Sequence, residues 1–104
     1  MKKVTVIKME GCPYCEAAFR AIKELKKEYP PAEFEIIDKN LQPELAEKFT
    51  DYYYVPTMYV DGEKIYEAQP GESYVECFDK VRKVFDIAAV PETVESIVFE
   101  EVVE

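Results

Sequence analysis

A β-branched run, Val4-Thr5-Val6-Ile7, gives way across a Glu10-Gly11 break to a helical stripe. This strand-to-helix junction constrains the fold more than any other feature of the chain. Lys3–Met9 reads as a buried strand. Pro13 suits a first helical position, where its missing N–H costs nothing. From Cys15 onward Ala18, Ile22, Leu25 and Tyr29 recur at steps of four, three and four, backed by Lys23, Lys26 and Lys27, which suit the negative end of a helix. Pro30-Pro31 ends it.

The remaining elements follow from shorter signals. Phe34–Asp38 is a second strand, and Pro43-Glu44 opens a short helix to about Phe49. Thr57–Val60 and Lys64–Tyr66 flank Asp61-Gly62, the strongest short hairpin signal in the chain. Ser73 to about Ala89 is the last helix, with Tyr74, Cys77, Phe78, Val81, Val84, Phe85 and Ala88 on one stripe. The order is βαβαββα. A right-handed crossover makes the first two strands parallel, and the hairpin makes the last pair antiparallel. The expected fold is α/β, a four-stranded mixed sheet with helices on both faces. Residues 1–90 form one domain; residues 91–104 are an extension whose Ser96–Val103 stretch reads equally as strand, helix or tail.

The junction itself carries the chemistry. Cys12-Pro13-Tyr14-Cys15 places two thiols at the first turn of a helix, close enough for a disulfide. Unpaired N–H groups and the positive end of the macrodipole favour a thiolate there, and cysteines so placed titrate at roughly 3.5–7.5 instead of about 8.5. The expected chemistry is thiol–disulfide exchange. By position Cys12, at the helix entrance, is the accessible nucleophile, and Cys15, a turn further in, is the shielded partner.

Composition narrows the alternatives. A net charge of −9 argues against nucleic acid and anionic membrane as partners. Met1-Lys2-Lys3 precedes only four apolar residues before Lys8, too few for a signal-peptide core or a spanning helix, so a cytoplasmic location is expected. In that reducing compartment a disulfide is usually catalytic or redox-sensing. A structural zinc site needs four ligands, and a chain with three cysteines and no histidine would have to recruit a carboxylate or a second chain. Metal delivery by the same dithiol is the rival from another class. Cys77 reads as a buried small hydrophobe. Tyr52-Tyr53-Tyr54 divides between sheet packing and a wall of the substrate groove.

Three features make the chain resemble the thioredoxin superfamily, and the glutaredoxins most: Cys-Pro-Tyr-Cys at the junction, Val55-Pro56 before a strand, and the element order, over roughly residues 2–89. The resemblance implies a thioredoxin-like fold, with Cys12 as attacking thiolate and Cys15 as resolving thiol. It implies a cis bond before Pro56, facing the dithiol, and a Val55 backbone edge on which a substrate pairs by strand addition. Tyr14 becomes a rim residue. The substrates implied are protein or small disulfides, handled by a monomer with no tightly bound cofactor or metal.

The departures bear on the electron donor. Where the family has a basic residue for the glycine carboxylate of glutathione, this chain has Met9, with Glu10 beside it and Lys8 one step further back. The family's Gly-Gly and acidic residues, which cradle the γ-glutamyl end, become Ala68-Gln69-Pro70-Gly71-Glu72-Ser73. Ser73 and Glu76 form an S-x-x-E capping box that occupies helix-end donors, and Glu72 adds negative charge. Glutathione is therefore expected to be a poor reductant, and a thioredoxin-reductase-type flavoprotein the better one. No charged residue stands out as a proton shuttle for Cys15.

Overall fold

A computed structural model describes residues 1–90 of the chain. Its elements are β1 (Val4–Lys8), α1 (Pro13–Leu25), β2 (Phe34–Asp38), α2 (Pro43–Ala46), β3 (Thr57–Val60), β4 (Glu63–Glu67) and α3 (Tyr74–Ala89). The sheet order is β2-β1-β3-β4, with β1 parallel to β2 and antiparallel to β3, and β3 antiparallel to β4. This is the expected thioredoxin-like architecture. The proposed extension, 91–104, lies outside the described residues.

Strand alternation divides the core in two. Val4, Val6, Met58 and Val60 face α1 and α3, where they meet Ala18, Ile22, Leu25, Val81, Val84 and Phe85. Ile7, Ile37 and Tyr59 face the other way and are covered by Ala46 of α2, with Leu45, Phe49, Tyr52 and Val55 packed alongside. Helices therefore lie on both faces.

Boundaries differ where local signals compete. Helix α1 ends at Leu25 and tightens into a 3-10 turn over Lys26–Glu28, which puts Tyr29 in extended backbone. Its ring still reaches the core, stacking on Phe85 at 5.0 Å between centroids. Helix α2 stops at Ala46, short of the expected Phe49, whose ring instead packs 4.5 Å from that of Tyr59. The hairpin turns on Asp61 and Gly62, at φ 48° and 84°, the left-handed values a two-residue turn demands. Ser73 caps α3, and the Ser73–Glu76 box forms in both directions.

Candidate redox site

Cys12 is the N-cap of α1. Its φ of −96° and ψ of 111° take the chain out of β1 and into the helix, and the turn beforehand passes through Gly11 at φ 73°. A side chain at Gly11 would meet nothing within 4 Å, so the glycine serves the backbone conformation and not a lack of space. The cap places the Cys12 sulfur where a capping oxygen normally sits. Cys15 N–H donates to Cys12 Sγ at 3.2 Å. A thiolate there would gain one hydrogen bond and the field of the helix end.

The second contact to that sulfur comes from the loop before β3. The Val55–Pro56 bond is cis, and the Cys12 thiol donates to Val55 O at 3.6 Å. Pro56 is wholly buried and Val55 half-buried, so the chain offers Val55, and not the proline ring, to anything that docks. Among the described residues the Val55 N–H has no hydrogen-bond partner.

Exposure separates the two thiols less than position implies. Cys12 is 6% exposed and Cys15 3%. Access comes from a groove of about 390 Å³ between the end of β1 and α1, with both cysteines in its wall beside Lys8, Glu10, Glu16 and Phe19. Burial pushes the Cys15 thiol up to about 12, helped by its contact with Cys12, while the Met9 backbone and the Lys8 charge pull the other way.

The sequence model of the glutaredoxin family matches residues 4–65. The chain belongs to the glutaredoxin family. Solved structures agree on the fold. Reduced glutaredoxin from Escherichia coli is 21% identical, with a TM-score of 0.52 covering 81% of this chain and 98% of that one. Thioredoxin from Fasciola hepatica is 20% identical, with a TM-score of 0.58 over 83% and 79%. Oxidised thioredoxin O1 from Arabidopsis thaliana is 19% identical, with a TM-score of 0.61 over 86% and 79%. At these identities the likeness concerns the fold alone. No curated protein matches the chain. The glutaredoxin family carries thiol–disulfide oxidoreductase chemistry in general, and Cys12 and Cys15 both lie within the matched residues.

Two expectations for this glutaredoxin-family site need correction, and Lys8, one step further back than the family's basic residue, lines the dithiol groove. It is already paired with buried Asp38 at 3.3 Å. Glu72 does not project negative charge: its side chain is 1% exposed, accepts from the Tyr66 hydroxyl and pairs with Lys80 at 2.9 Å. None of the three tyrosines at 52–54 lines the dithiol groove. Tyr52 and Tyr53 border a separate groove over α2, and Tyr54 is half exposed.

Tyr14 is half-buried, and its hydroxyl accepts the Gly71 N–H at 2.8 Å, tying the dithiol turn to the loop before α3. That link across 57 residues carried no sequence signal. Cys77 is buried at 2% in α3, and burial raises its thiol. Among the described residues no three His, Cys, Asp or Glu side chains are grouped to hold a metal ion, and no helix is long and apolar enough to cross a membrane.

Proposed function

We propose that this chain is a dithiol oxidoreductase that reduces protein disulfides through Cys12 and Cys15, drawing electrons from a reductase protein in preference to glutathione. The observation that carries the reading is the double placement of one sulfur. Cys12 Sγ receives the Cys15 N–H at 3.2 Å and lies 3.6 Å from Val55 O, beside a backbone N–H left open for a substrate strand. A disulfide brought in along Val55 arrives at the sulfur that the helix end can hold as an anion.

In the forward cycle the Cys12 thiolate attacks one substrate sulfur, forming a mixed disulfide and releasing the other sulfur as a thiolate that takes a proton. Cys15 loses its proton and attacks Cys12 Sγ. The substrate leaves fully reduced, and the Cys12–Cys15 disulfide holds the two-electron debt until a donor repays it. The direction follows the potential against the donor, about 30 mV for each 1.4 kcal/mol.

The groove's charge supports the choice of donor. Glu10 and Glu16 stand in its wall, and the one lysine there is committed to Asp38. The Ser73 N–H and Glu76 N–H, which would cradle a carboxylate, are satisfied by the capping box. An anionic tripeptide meets repulsion and few free donors. A second reading, glutathione as donor, draws on Lys8 lying in the groove. On the preferred reading the protein works as a monomer in the cytoplasm, with no nucleic acid or membrane partner and no resident cofactor. The dithiol would need ligands from a second chain to act in metal delivery.

The test is a reduction assay on a protein disulfide with the two donors supplied in turn. Turnover is expected with a thioredoxin-reductase-type flavoprotein and only slow turnover with glutathione and its reductase. Fast turnover of glutathione mixed disulfides would establish the second reading. Absence of turnover with either donor, in a folded protein with Cys12 and Cys15 both reduced, would overturn both.

A further inference from the structure

The loop from Asp51 to Val55 brings the docking edge to the dithiol; Tyr52 and Val55 pack on the core, but side-chain burial does little to hold the two residues between them. Tyr53 is 90% exposed and Tyr54 47%. Rings that stand in water cannot fix the backbone that carries them, so something else must.

Glu67 closes β4 and pairs in register with Thr57, the residue after Pro56, which sets its side chain against this loop. One carboxylate oxygen accepts both consecutive amides, Tyr53 N–H at 2.7 Å and Tyr54 N–H at 2.8 Å. The other oxygen takes Lys64 Nζ at 3.0 Å, and the same ammonium donates to Asp51 O. Further ties come from β3: the Tyr59 hydroxyl donates to Asp51 Oδ1 at 2.8 Å, and the Thr57 hydroxyl donates to Tyr54 O. The Glu67 side chain is 12% exposed, so these charge-assisted bonds are largely shielded from water.

We propose that Glu67 is the positioning residue of the substrate-docking loop: by holding the Tyr53 and Tyr54 amides it fixes the Val55 edge in register with Cys12 before a protein substrate arrives. The inference rests on the reading of Val55 as the pairing edge. Without the carboxylate the loop must be ordered at each encounter, at a cost in backbone entropy. A substrate too small to pair with Val55 is indifferent to that cost.

The experiment compares wild type, Glu67→Ala and Glu67→Gln on two substrates: insulin, a protein disulfide, and a small aromatic disulfide reagent. Glu67→Ala is expected to raise KM for insulin about tenfold, the factor that about 1.4 kcal/mol represents, with kcat and the small-disulfide rate unchanged. Glu67→Gln, which keeps an acceptor oxygen, is expected to recover most of the loss. An equal fall on both substrates, or no change on either, overturns the proposal. If Glu67→Ala does not fold, Lys64→Met takes its place with a smaller rise in KM for insulin expected, and an unchanged KM in Lys64→Met overturns it. A wild type inactive on both substrates sinks the functional reading itself, and is told apart by that control.

Discussion

Raising the pH should accelerate the second step of the cycle far beyond neutrality. On the proposed reading Cys15 is the resolving thiol, and burial pushes it from 9.0 up to about 12. That shift leaves about a thousandfold less thiolate near neutral pH than an unperturbed thiol would supply. Part of the loss returns, because nucleophilicity rises with pKa at a Brønsted slope of about 0.4–0.5, worth about twentyfold over this range. The net slowing is about fiftyfold, as an upper bound. Once Cys12 is tied up in a mixed disulfide its hydrogen bond and charge no longer raise Cys15, but the leading cause, burial at 3% exposure, persists. The assay is a single turnover: load Cys12 with a chromophoric thiol, mix to a chosen pH, and follow release of the chromophore. The logarithm of the rate should climb with unit slope from pH 6 to pH 9 and show no plateau there. A plateau between pH 7 and pH 8 would mean that Cys15 ionises readily, and the account of a desolvated resolving thiol would be refuted.

Other consequences are checked more simply. Cys12→Ser should abolish disulfide reduction and Cys15→Ser should trap substrates as mixed disulfides on Cys12, seen by mass spectrometry; the reverse pattern would exchange the roles. Because the folded pKa of Cys15 is raised, its contribution to stability is complete below 9.0 and is lost as pH rises toward about 12. The reduced form should therefore lose about 2 kcal/mol relative to the oxidised form between pH 7 and pH 10.5, read as a widening gap in Tm. Glu72→Gly should not open a glutathione site. It removes the partner of Tyr66 and Lys80 instead, and should lower stability by about 1–3 kcal/mol in urea titrations with glutathione-dependent turnover unchanged.

Local signals settled most of the frame. The β-branched run at Val4–Ile7, Pro13 at the start of α1, the Asp61-Gly62 turn and the Ser73–Glu76 box each act within a few residues of themselves, and each forms as the chain spells it. So does the cap: a cysteine immediately before Pro13 must offer its sulfur to the first free N–H groups of the helix. Helix ends were less legible. Phe49 lies beyond the end of α2 and packs on the ring of Tyr59, on a strand the local pattern cannot see.

The sequence by itself determined the order of elements, the dithiol at a helix start and the family in which both occur, because those depend on spacing and backbone preference along the chain. Tertiary structure decided which groups face the dithiol. It turned Glu72 inward to Tyr66 and Lys80, brought Lys8 into the groove, joined Tyr14 to Gly71, and set Glu67 against the tyrosine loop. Each of these contacts depends on the direction in which a long polar side chain finds its partner. That direction is fixed by sheet register and helix packing, and spacing along the chain does not encode it.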